Sequence, residues 1–158
     1  MNKWISENYP NSTLKELYLP GTHHSGMYKM ELKTPFNNFK IFEYFPIFFN
    51  GLQELTVTQN YNIYDQLNIG IRVFDLRVIY YKGEQYLYHT FLGPKLKDIF
   101  KEFEHFSNEN PLEPYIVFLT CPFVIGSIPK HFTFHGINDM IKQPALILQN
   151  EMIYTSVP

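Results

Sequence analysis

"NIYDQLNIGIRVFDLRVIYY", residues 62–81, holds a helix and a strand back to back, with one glycine dividing them. Asn62 is a good helix-capping residue, and Gly70 suits the left-handed position that closes a helix, so 62–70 is predicted to be a short helix. Residues 71–81 are β-branched and aromatic, and they spell a buried strand. Lys82-Gly83 then turns the chain into a hairpin that returns through Tyr86–Tyr88.

Working outward, "KLKDIFKEFEHF" after Pro94 sets Leu96, Ile99, Phe100, Phe103 and Phe106 at three- and four-residue spacing. This is the clearest amphipathic helix in the chain. Asn110-Pro111 ends it, and "YIVFL" at 115–119 follows as a short apolar strand; "PALIL" at 144–148 reads as another. Upstream, "LKELYL" at 14–19 reads as a strand ended by Pro20-Gly21, which leaves His23 and His24 in a loop. Strands alternating with helices predict an α/β fold with parallel strands and both faces covered.

Composition narrows the class. The chain has 158 residues, 45% hydrophobic and 18% charged, enough for one globular domain with a real core. Aromatic residues reach 18%, with 15 Phe and 12 Tyr against one Trp. A net charge of −2 makes no electrostatic case for nucleic acid, which we do not expect as a partner. The single cysteine, Cys121, excludes an intrachain disulfide framework. There is neither a secretory leader pattern at the N-terminus nor an apolar run of about 18 residues, so the expected setting is cytoplasmic or peripheral to a membrane.

In α/β folds, ligands gather at the carboxyl ends of the strands. That rule puts His23 after the first strand, Asp75 and Arg77 at the end of the second, and His89 just beyond the hairpin, all on one rim. Two histidines with an arginine suit phosphoryl chemistry: one imidazole takes a proton, the other gives one, and the guanidinium holds phosphate oxygens. Other chemistries fit less well. Ser25 lacks a nucleophile elbow, His105 on the amphipathic helix is expected to be exposed, and no paired ligand spacing supports a zinc site at His23 and His24. His131 and His135 read as a polar loop.

The segments "LYLPGTHHSGMY", "IYDQLNIGIRVFDLRV", "YLYHTFLGPKLKDIFKEFEHF" and "PYIVFLT" resemble, in order and spacing, the X domain of phosphatidylinositol-specific phospholipase C. The nearest subgroup is the bacterial-type enzymes and the X-domain-only proteins of eukaryotes. The resemblance implies a distorted TIM barrel and a single catalytic domain over residues 1–158. A closed (β/α)₈ barrel takes ~250 residues, so the chain is expected to be its N-terminal half or a truncated version, completed by further chain or a partner.

The resemblance also implies a reaction: cleavage of phosphatidylinositol or a related glycerophospholipid to diacylglycerol and a cyclic inositol phosphate, without cofactor. His23 matches the general base, His89 the general acid and Arg77 the group that stabilises the charged phosphorus centre. Asp75 is the carboxylate expected to orient a catalytic partner. His24 and Arg77 are expected to face the substrate. Arg77 occupies the place of an acidic metal ligand in the calcium-dependent enzymes, so no metal is expected. In two places the chain departs from the pattern. His24 stands where the bacterial-type enzymes have an aspartate, and Thr90 where a glycine usually follows the second histidine. The alternative expectation is therefore a protein that binds the lipid or an inositol phosphate with impaired turnover. Residues 35–52 are rich in phenylalanine and broken by prolines, and Phe45, Phe48 and Phe49 are expected to contact a phospholipid membrane surface.

Overall fold

The computed structural model describes residues 2–31, 51 and 54–124. In chain order these form α1 (Trp4–Asn8), a 3₁₀ turn (Leu14–Glu16), β1 (Gly21–Thr22), α2 (Ile63–Asn68), β2 (Val73–Tyr81), β3 (Glu84–His89), β4 (Phe91–Lys95), α3 (Leu96–Glu109) and β5 (Ile116–Val124).

The helix and strand of residues 62–81 form as their sequence predicts. Asn62 Oδ1 accepts the backbone N–H of Asp65 at 2.8 Å, and Gly70 closes the helix at φ 106°. A carboxylate, Glu102 on α3, accepts the N–H of Ile63 at 2.8 Å, so α2 is capped from its neighbour as well.

β2 lies at the centre of the sheet. β5 runs parallel along one of its edges, from Val73↔Ile116 to Tyr80↔Val124. On the other edge, β1 pairs in parallel at Gly21↔Val73 and Thr22↔Phe74, and β3 pairs antiparallel from Val78↔Leu87 to Tyr81↔Glu84. β4 then pairs antiparallel with β3.

Alternation along β2 sorts its side chains. Phe74, Leu76 and Val78 are buried and pack with Ile63, Leu67, Ile99, Phe100, Phe103, Phe106 and Tyr115. Phe74 meets Phe103 edge-on at 5.1 Å, and Phe103 stacks on Tyr115 at 5.0 Å. Each such side chain contributes about 1.5–3 kcal/mol on burial. The β2–β5 register shifts between Arg77 and Ile79, so Val78 and Ile79 are both buried; Ile79 joins Tyr86 and Leu92 in a smaller cluster under the hairpin.

Four expectations need correction. Residues 14–19 are not a strand: the Thr13 N–H is held by Glu16 Oε2 at 2.8 Å, which closes a 3₁₀ turn, and pairing begins only at Gly21. Gly21 permits that close approach, since a Cβ there would lie 3.0 Å from Val73 Cβ. Among the described residues the helices pack on one face of the sheet, and the face carrying Val73, Asp75 and Arg77 stays half exposed. The strands are mixed, with β1, β2 and β5 parallel and β3–β4 antiparallel. Asp75 and Arg77 lie inside β2 rather than at its end, because the hairpin prolongs that strand to Tyr81. The candidate strand 144–148, His131, His135 and the Phe-rich stretch, apart from Gly51, lie outside the described residues.

Candidate active site

The loop after β1 is tied to β2 by a serine. Ser25 is fully buried; its N–H donates to Asp75 O and its Oγ accepts from Asp75 N–H, both at 2.9 Å. Gln66 of α2 reaches in and donates to Ser25 O at 2.8 Å. These bonds continue the β1–β2 pairing past the point where β1 ends, and they set His23 beside the half-exposed face of β2.

There the charged groups meet. His23 Nδ1 lies 2.6 Å from Asp75 Oδ2, so the carboxylate holds the Nδ1–H tautomer and leaves Nε2 as an acceptor. Arg77 Nη2 lies 3.4 Å from His23 Nε2, and Arg77 Nε 4.0 Å from Asp75 Oδ2. The antiparallel register that sets Val78 against Leu87 brings His89, two residues further on, back to this level. His89 Nδ1 is 3.3 Å from Thr56 O.

His24 lies between the two outer histidines. Its ring centroid is 4.1 Å from that of His23 and 4.3 Å from that of His89. It is 6% exposed, it sits in the left-handed region at φ 50°, and its Nδ1 has no hydrogen-bond partner. Burial lowers its pKa from 6.5 to about 4, helped by the nearby charges of Arg77, His89 and His23 and opposed by Asp75. Thr90, the residue after His89, is also left-handed, at φ 65°.

The structure therefore brings His23, His24, Asp75, Arg77 and His89 together. Phe45, Phe48 and Phe49 lie outside the described residues. His105 is exposed on α3, stacked 4.4 Å from the ring of Tyr64 and far in sequence from this cluster. Among the described residues no group of three or more His, Cys, Asp or Glu could hold a metal ion, and no helix is long and apolar enough to cross a membrane.

Sequence reasoning missed the segment just before α2. Thr56 O faces His89, Thr58 Oγ1 donates to His24 O at 3.2 Å, and Gln59 Nε2 donates to His23 O at 2.8 Å. One short stretch thus touches all three histidines, Thr56 through its carbonyl and Thr58 and Gln59 through side-chain donors to the histidine carbonyls.

No family model matches the chain. Curated relatives do. A PI-PLC X-box domain-containing protein of Dictyostelium discoideum is 31% identical over 122 residues, 73% of this chain and 16% of that protein. The human PI-PLC X domain-containing protein 2 is 33% identical over 128 residues, 73% of this chain and 41% of its own length. Among solved structures, a phosphatidylinositol-specific phospholipase C of S. aureus matches with a TM-score of 0.62 at 18% identity, over 90% of this chain and 43% of that one. The Listeria monocytogenes enzyme matches with a TM-score of 0.60 at 25% identity, over 80% of this chain and 40% of that one. These likenesses define the class, a phosphatidylinositol-specific phospholipase C X-type fold. This chain is related to the X-domain-containing proteins, and its sheet is part of the barrel that the bacterial enzymes possess. It spans less than half the length of each relative and structure named here.

Proposed function

We propose that this chain carries the acid–base half of a metal-independent phosphodiesterase site acting on phosphatidylinositol or a related glycerophospholipid. The observation that carries the reading is the Asp75–His23–Arg77 arrangement facing a second imidazole, His89. With Nδ1–H committed to Asp75, His23 Nε2 takes the proton of the inositol 2-hydroxyl. That oxygen attacks phosphorus, and the bond from phosphorus to the diacylglycerol oxygen breaks. His89, entering the step protonated, gives its proton to the departing oxygen. Arg77 offers guanidinium N–H groups to the phosphate oxygens as charge builds on them. A cyclic inositol phosphate and diacylglycerol leave, and exchanging the two histidine roles lets water open the cycle. The cation at Arg77 supplies the charge that a metal ion would otherwise bring.

Residues 1–158 serve in this reading as one catalytic domain whose barrel is completed by further chain or a partner. Phe45, Phe48 and Phe49 seat it on the lipid surface, where the scissile bond lies. Membrane binding is the subject of the matched S. aureus structure, which supports this part of the reading. A second reading, lipid or inositol-phosphate binding with impaired turnover, is favoured by His24 standing where an acidic residue is expected.

Incubation with phosphatidylinositol vesicles, followed by phosphorus NMR for cyclic inositol phosphate, separates the two. The first reading expects release that survives a chelator and falls at least about a hundredfold in His23→Ala and in His89→Ala. Vesicle binding without release selects the second. Loss of sedimentation with vesicles in Phe48→Ser/Phe49→Ser tests the membrane contact, and neither binding nor release rejects both readings.

A further inference from the structure

His24 is built into its place. Its backbone is held left-handed, its carbonyl accepts from Thr58 Oγ1 at 3.2 Å and from the Met27 N–H at 2.9 Å, and its ring is packed between two others. Among the described residues, the charged and titratable groups around it are His23 on its own loop, Asp75 and Arg77 on β2, and His89 on β3. Its Nδ1 is buried and has no hydrogen-bond partner among the described residues, which a neutral imidazole tolerates at a modest cost and an imidazolium does not.

We propose that His24 is a positioning residue for the proposed reaction, an uncharged ring that fixes the spacing of His23 and His89 and separates their protons. The inference rests on that reading in one respect: it needs one outer histidine neutral while the other is charged. Two imidazoles in direct contact would share a proton and titrate as a coupled pair. A neutral ring lying between them, 4.1 Å from one and 4.3 Å from the other, stands in the way of that direct contact. The downward shift of its own pKa agrees with this. On this view the histidine in the aspartate's place is a spacer and not a lesion.

The test has a readout that does not need turnover. Histidine side-chain NMR on the unmodified chain follows each imidazole through a pH titration, with the same experiment on His24→Phe and His24→Ala. We expect the His24 signal to titrate well below the usual histidine value of 6.5. We expect separate His23 and His89 curves in His24→Phe, and displaced, mutually coupled curves in His24→Ala. Where product release is measurable, the phenylalanine ring recovers at least about tenfold of what alanine loses. A His24 signal titrating at the usual value, unchanged curves in His24→Ala, failure of phenylalanine to restore them, or faster release in His24→Asp would each overturn the inference. Absence of release with the expected curves rejects the phosphodiesterase reading and leaves the spacer standing.

Discussion

Two arginine–carboxylate pairs sit within six residues of each other at β2, and they are built to opposite ends. Arg72 and Glu113 have side chains 0% and 1% exposed. Arg72 donates to Glu113 Oε2 from Nη2 at 2.8 Å and Nε at 3.1 Å, and to the carbonyls of Asn2, Leu67 and Ile71. Glu113 Oε1 accepts from the N–H and hydroxyl of Ser6. Arg77 and Asp75 are 41% and 26% exposed, with 4.0 Å between Nε and Oδ2. The first pair spends its donors on the protein and joins α1, the start of β2 and the approach to β5. The second keeps guanidinium donors facing outward, as a group that meets an anion must. Satisfaction marks the structural pair and incompleteness the pair proposed to meet a phosphate.

The comparison breaks most easily at its buried member. Replacing Arg72 with alanine strands Glu113 without its cation, and we expect a loss of about 3–5 kcal/mol in urea unfolding. A loss below about 1 kcal/mol would show that the two pairs do not differ in kind.

Next in size is the effect of pH through His24. The unfolded chain carries a proton there up to about pH 6.5, the folded chain only below about pH 4. Between those values the unfolded state binds more protons, so stability rises with pH across the window and levels off above it. The contribution reaches about 3–4 kcal/mol, at ~1.4 kcal/mol per pKa unit. Unfolding measured from pH 4 to 7 should lose this part of its slope in His24→Phe.

Gly26→Ala probes the packing behind the histidine loop. An added Cβ would meet Leu87 Cγ and Cδ1 at 2.9 Å, and Leu87 is sealed in the core. We expect about 1–3 kcal/mol of destabilisation, read from the thermal midpoint. The smallest stability effect belongs to Arg77→Ala, below about 1 kcal/mol, because its partner is distant and water screens the pair. The same variant should lose at least about a hundredfold in product release, which sharpens the contrast with Arg72.

Much of this was legible in the chain itself. Regular alternation in "IRVFDLRV" and three–four spacing in "KLKDIFKEFEHF" report burial against one face, so β2, the hairpin, α2 and α3 follow from pattern. β4 does not, because Gly93 and Pro94 are strand breakers there, and a single left-handed residue, Thr90, makes the turn. Residues 14–19 read as a short strand stopped by Pro20-Gly21, yet a reciprocal cap at Thr13 and Glu16 wins locally over weak β-pairing. At the site, His23, Asp75, Arg77 and His89 stood out by residue type. The segment 56–59 did not, since the Thr58 and Gln59 side chains reach backbone carbonyls of the histidine loop and Thr56 meets His89 through its own carbonyl, so no pairing of side-chain types marks it. Arg72 did leave a signal: it shares the apolar face of Phe74 and Leu76, and a cation in that register calls for a buried carboxylate.

Trp4 gives the molecule a built-in optical probe. It is the one tryptophan in the sequence, and its indole Nε1–H donates to Gly70 O at 3.1 Å, two residues before Arg72. Its emission therefore watches the end of the sheet where the first pair is sealed and has no direct view of the histidines. Following fluorescence and imidazole resonances in one denaturation series would time the opening of the two ends separately. A shared midpoint would mean that the scaffold and the reactive face come apart as one cooperative unit.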